Sequence, residues 1–171
     1  VLEPTGRVAG FARVTRVADD RFELDTDAGF GESLLARINR FKIRVRADTS
    51  LVPAAADVAP RDDGQRVALG WPATGDDLVP GESIPAATGL TRIAVSFTKG
   101  CYPGQELVER MDSRAAEAPR SLRRLAVTEG TAPGDPVLDG DEEVGVVTSV
   151  SGTSAIASVK RTSVVGEPIA F

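Results

Sequence analysis

The sequence predicts an α+β protein with antiparallel sheets, and three observations support that reading. The first part of the chain mixes apolar residues at alternating spacing with apolar residues at three- and four-residue spacing. Beyond residue 118 only short alternating runs occur, separated by turn residues. Hydrophobic residues make up 42% of the 171, enough to bury a core without a metal or a disulfide.

Residues 6–17 alternate through Val8, Gly10, Ala12 and Val14, and residues 21–27 do so through Phe22 and Leu24. Asp19 and Asp20 stand between them as a turn, which predicts a β-hairpin. Phe30, Leu34, Leu35, Ile38 and Phe41 then recur on one helical face, so residues 28–41 predict a helix with Asp27 as its N-cap. Residues 42–48 alternate Ile43, Val45 and Ala47 with three basic residues and predict a strand, completing a β-β-α-β unit. Residues 51–85 are rich in Ala, Pro, Gly and Asp, and predict loop with one short strand at 66–69. Residues 90–97 predict a strand or a short helix, and 105–114 a short helix with Leu107, Val108 and Met111 on one face.

A new regime begins at Ala118-Pro119. Strands are expected at 120–127, 137–138, 144–149, 155–159 and 168–171, with turns at Gly134-Asp135-Pro136, Asp139-Gly140-Asp141 and Ser151-Gly152-Thr153. That spacing predicts a small antiparallel β-barrel. The expected division is residues 1–117 and 118–171, with the boundary near 114–119.

Composition narrows the chemistry. The chain has no histidine and one cysteine. It therefore holds neither a Ser-His-Asp or Cys-His constellation nor a Cys/His zinc site by itself. One thiolate cannot hold an iron–sulfur cluster without ligands from elsewhere, and no stably bound metal is expected. A net charge of −5 argues against binding nucleic acid by phosphate neutralisation. The segment opening at Val1 has no basic and apolar leader pattern, and no apolar run is long enough to cross a bilayer. A reducing cytoplasm and no membrane partner are the expectation.

The lone cysteine, Cys101, stands in Lys99-Gly100-Cys101-Tyr102-Pro103-Gly104-Gln105-Glu106. Glycines allow close approach or a positive φ. A cationic neighbour and a helix start both favour a thiolate. Free cysteines are otherwise usually small buried hydrophobes, but a core cysteine does not need a glycine-rich turn. Glu106 and Gln105 could hydrogen-bond a flat heterocycle or simply open the helix. Arg110 and Arg114 could meet carboxylates or stand solvated on the helix. Trp71 could belong to the core or stack on a ring. Arg120, Arg123 and Arg124 read as exposed strand or linker arginines, and Asp62-Asp63 and Asp76-Asp77 as solvated loop carboxylates.

Residues 99–106 match K-G-C-[FY]-x-G-Q-E at every fixed position. In this the chain resembles the YgfZ-type folate-binding proteins, relatives of the glycine-cleavage T protein. Val108, Arg110, Ser113 and Arg114 continue that family's pattern, as do Ile84-Pro85-Ala86-Ala87-Thr88-Gly89-Leu90 and Glu3-Pro4-Thr5-Gly6-Arg7-Val8. The resemblance implies a partial folate-binding body followed by the small terminal barrel, since members carry further N-terminal sequence and a longer stretch between Asp48 and Arg66. It implies that tetrahydrofolate or a derivative is bound, and that iron–sulfur client enzymes, including tRNA-modifying ones, are the partners. Cys101 and Lys99 would be the working residues, with Gly100, Tyr102, Gly104, Gln105, Glu106 and Arg114 around the cofactor. No direct nucleic-acid contact is implied. A T-protein-like aminomethyltransferase, or an interaction module that has lost folate, are the alternatives; the T protein lacks the cysteine.

Overall fold

A computed structural model describes residues 1–53, 62–113 and 118–171. Among them, β1 (Arg13–Ala18) and β2 (Arg21–Asp25) form the expected hairpin across Asp19-Asp20. Helix α1 (Gly31–Phe41) follows, then α2 (Asp63–Leu69), a single 3-10 turn (Pro85–Ala87), α3 (Thr91–Ala94) and α4 (Gln105–Ser113). The remainder is β3 (Arg120–Ala126), β4 (Pro136–Asp139), β5 (Glu142–Ser151), β6 (Ser154–Lys160) and β7 (Glu167–Pro168). These five strands pair antiparallel in the order β4-β5-β6-β3-β7.

The class is α+β with antiparallel sheets, but the expected barrel is an open sheet. Its outer members, β4 and β7, do not pair. With four and two residues, they are too short to close a cylinder. The expected strand at 168–171 is reduced to Glu167–Pro168, after which Ile169 turns into the core.

Three local expectations are corrected. Residues 42–48 form no strand. Arg44 adopts a left-handed φ of 57°, and Ile43 and Val45 are exposed. Alternation shows what a segment can pair with, and no described strand lies beside this one. Residues 66–69 belong to α2, not to a strand. Asp62 accepts the Gln65 N–H at its start, and Gly70, at φ 73°, ends it. Asp27 does not cap α1; that place is held by Phe30 without a side-chain bond, while Asp27 accepts the Thr74 N–H at 2.7 Å.

The terminal sheet has two apolar faces. Along β6, Ala155, Ala157 and Val159 join Val137, Val144 and Val147 in one cluster. Ile156, pointing the other way, joins Val67, Leu78, Leu90, Leu122 and Ile169 in a second. The second cluster draws on both sides of residues 114–117, which lie outside the described residues. Trp71 lies at its edge, between Phe11 (5.7 Å) and Phe171 (5.1 Å).

A buried ion pair reinforces the same junction. Asp77, expected to be solvated, has a side chain with no exposed surface, and Arg66 is only 7% exposed. Arg66 Nη1 meets Asp77 Oδ2 at 2.8 Å and the Trp71 carbonyl at 3.0 Å, Nη2 meets Ser149 Oγ at 2.9 Å, and Nε meets Asp63 at 2.9 Å. Asp77 also accepts from the Ala73 N–H, Ser149 and Thr148. Thr148 and Ser149 are adjacent, yet both reach Asp77, because the β5–β6 register shifts between Val147 and Ser149. A bulge brings to one side two residues that a regular strand would place on opposite faces.

Arg123 is likewise buried rather than exposed. It bonds the carbonyls of Val165 and Arg161, whereas Arg124 pairs with Glu167. Among the described residues no helix is long and apolar enough to cross a membrane.

Asp77→Ala is expected to destabilise the fold by about 3–5 kcal/mol, because it leaves the buried Arg66 charge unpaired. Urea unfolding followed by Trp71 fluorescence measures this, and a loss below about 1 kcal/mol, the range of an exposed pair, would show that the pair is not buried in solution.

Candidate functional site

The signature loop is built from its glycines outward. Gly104, at φ 83°, packs against the Glu3 carbonyl and the Gly6 Cα, where any Cβ would collide with backbone. Gly6 in turn lies against Leu107 of α4. The start of α4 is therefore clamped onto the turn at residues 3–7. Gly100 has open space around it.

Gln105 caps its own helix. Its Oε1 accepts the Tyr102 N–H at 3.0 Å while its own N–H bonds the Tyr102 carbonyl at 3.3 Å. Glu106 is exposed and pairs with Arg110 one turn on. Both residues thus serve the helix, and neither reaches the cavity described below. Arg114 lies outside the described residues.

Cys101 is exposed. Lys99 before it and Tyr102 after it line a cavity of about 500 Å³ that Gly100 and Cys101 themselves do not line. Lys99, Tyr102 and Pro103 form one wall, Arg37, Ile38 and Phe41 of α1 another, and Val8, Phe11 and Leu90 add apolar surface. The volume is within the range of small-molecule sites, roughly 300–1,000 Å³. Among the described residues its lining carries three cationic side chains (Arg37, Lys42, Lys99) and no carboxylate.

The polar groups of the cavity are incompletely used. Arg37 donates from Nη2 to the Leu2 carbonyl at 2.6 Å and lies 4.5 Å over the Phe41 ring, but its buried Nε has no partner among the described residues. The buried Tyr102 hydroxyl has none either. Burial, and then the charge of Glu109, push the Tyr102 phenol up, so it stays protonated at neutral pH. The Lys99 ammonium lies 4.4 Å from the centre of the Tyr102 ring. Sequence reasoning missed Arg37 and Phe41 as cavity residues. Their signal, a cation and an aromatic four apart on the last turns of α1, reads equally well as an ordinary helix face.

Fold and site together define an α+β protein that presents one exposed thiol between two lining residues of an apolar, cation-rimmed cavity. The chain is similar over part of its length to two proteins named YgfZ. It is 37% identical over 82 residues to the tRNA-modifying protein YgfZ of Serratia proteamaculans (strain 568), a match covering 47% of this chain and 24% of that protein. It is 40% identical over 70 residues to the protein of the same name from Klebsiella pneumoniae (strain 342), covering 40% of this chain and 20% of the relative. The aligned part therefore spans a quarter or less of the curated relatives it matches. No protein-family model matches the chain.

Two substitutions separate the glycines. Gly104→Ala is expected to cost about 1–3 kcal/mol, from backbone strain and the lost close approach, whereas Gly100→Ala stays within about 0.5 kcal/mol; thermal unfolding of the two variants checks the contrast. Tyr102→Phe is expected to leave stability unchanged or raise it by about 1 kcal/mol, since the hydroxyl it removes is buried and unpaired. The pH dependence follows. Above about pH 10 the unfolded chain ionises Tyr102 before the folded chain does, so stability falls as pH rises, and Tyr102→Phe removes that loss. Urea titrations between neutral and alkaline pH measure it.

Proposed function

We propose that this chain acts as a cytoplasmic YgfZ-like protein that binds a reduced folate and assists the assembly or repair of iron–sulfur clusters in client enzymes, with Cys101 as the working thiol. The observation that carries this reading is the exposed Cys101, held in a glycine loop whose flanking residues wall an apolar cavity. The names of the two relatives favour clients that modify tRNA.

The cavity suits one end of a folate better than the other. Phe11, Phe41 and Tyr102 offer ring surface for a flat aromatic body, and Arg37, Lys42 and Lys99 offer charge for its carboxylates. The Arg37 Nε is a donor without an acceptor among the described residues, which a carboxylate oxygen would supply. A pterin ring presents an amino edge that a carboxylate would meet, and none lines the cavity among the described residues. Residues 99–106 do not supply one, because Glu106 is paired with Arg110 and Gln105 caps α4. The benzoyl-glutamate end is therefore the part of the folate assigned to this cavity.

The thiol's role is to offer one soft ligand, or one nucleophile, at an accessible point. A client's cluster has its own ligands; the iron is cargo, and Cys101 would hold at most one coordination position on it.

In a bacterial strain lacking its own YgfZ-type protein, the protein is expected to restore the product of an iron–sulfur tRNA-modifying enzyme, measured as modified nucleoside, while Cys101→Ala restores none. Full rescue by Cys101→Ala would overturn the role of the thiol. In calorimetric titration with tetrahydrofolate, Arg37→Ala is expected to weaken binding by about tenfold or more, the loss of a hydrogen bond to a charged group. Unchanged affinity would remove the folate from this cavity.

A further inference from the structure

Three features of the signature loop remain unexplained by a free thiol alone. Lys99 and Tyr102 touch each other across the two residues between them, the ammonium lying 4.4 Å from the ring centre. Both line the cavity, whereas Gly100 and Cys101 between them do not. Tyr102 is also the fixed end of the loop, since its N–H and carbonyl are both tied to Gln105 at the head of α4, and Gly104 is wedged against Glu3 and Gly6.

We propose that Lys99 and Tyr102 are positioning residues for Cys101: the ammonium held on the ring closes a clasp across Gly100-Cys101 and keeps the thiol out of the cavity. The physical need is clear. A free thiol behaves as a small apolar group and is among the most readily buried side chains. Here the next residue, Tyr102, lines an apolar space of about 500 Å³. Gly100, with nothing around it, imposes no steric barrier to the loop turning inward. Tyr102 is anchored by the helix cap, so an attachment of Lys99 to its ring restrains the free arm of the loop. The ring face attracts the cation through its quadrupole and needs no buried counter-charge. Arginine could replace lysine in this contact, and phenylalanine could replace tyrosine.

The purpose of the clasp rests on the reading of Cys101 as the working thiol, but its test is thiol chemistry and does not depend on rescue. The rate of Cys101 alkylation by iodoacetamide is measured on the native chain. Lys99→Arg and Tyr102→Phe are expected to match the parent, since cation and ring are kept. Lys99→Met and Tyr102→Leu are expected to slow alkylation by about two- to fivefold, the population change set by one exposed cation–π contact. The double variant is expected to be no slower than either single one, because both remove the same contact. If Lys99→Met slows the thiol and Tyr102→Leu does not, lysine acts on the sulfur by charge and the clasp is overturned. Additive effects, or no effect from either, overturn it as well. Should Tyr102→Leu fail to fold, proton resonances decide on the parent chain. The Lys99 ε-methylene signals are expected to move upfield under the ring current, and unshifted signals would overturn the proposal.

Discussion

Arg66 and Asp77 are a cation and an anion that the fold removes from water together, and the arrangement around them joins the two stretches of sequence. Neither charge is tolerable alone at that depth. Each is met by several partners: Arg66 by two carboxylates, a carbonyl and a hydroxyl, and Asp77 by the guanidinium, a backbone N–H and two hydroxyls. Those partners come from α2, from the loop at 71–77 and from β5, so the pair forms only when all three are in place. Around it the apolar cluster of Val67, Leu78, Leu90, Leu122, Ile156 and Ile169 supplies most of the attraction, because burial of large side chains is worth more than a buried ion pair. The pair selects the register in which that burial occurs.

The same junction sets the position of the cavity. Leu90 and Leu78 belong both to the central cluster and to the cavity lining, so the cavity floor is the back of the core. Phe11 likewise lines the cavity while packing on Trp71. The site is therefore supported on one side by a rigid packed layer. On the other side stand the end of α1, residues 42–49 and the signature loop, where Ile43, Val45 and Phe97 are exposed.

Much of this was legible in the sequence, and the failures have physical causes. The hairpin, α1, α4 and the longer terminal strands β3, β5 and β6 were readable because each is long enough for its period to show. The strand expected at 66–69 was a helix because four residues cannot distinguish the two periods, although Asp62, Gln65 and Gly70 carried the cap signals. The barrel failed to close because closure depends on the length of the edge strands, which alternation does not report. Asp77 was misread because its burial depends on a bulge at Thr148 and on a partner eleven residues earlier, neither of which leaves a local pattern. Cys101 was legible as an exposed thiol because its glycine context is local. The cavity was not, since its walls come from four separate stretches of chain.

The signature itself divides into residues that build and residues that present. Gly104 and Gln105 are spent on structure, one by fitting where no side chain fits and the other by capping α4. Glu106 is turned to Arg110 on the exposed helix face. What remains is Lys99, Cys101 and Tyr102, three side chains on four residues, with Cys101 turned to solvent and the outer two lining the cavity. A short contiguous motif is needed for this because the geometry is local. The helix start fixes Tyr102, and Tyr102 offers its ring to a lysine three residues back. The motif therefore holds together as a device for carrying one thiol, through contacts that run from Gly104 to Lys99.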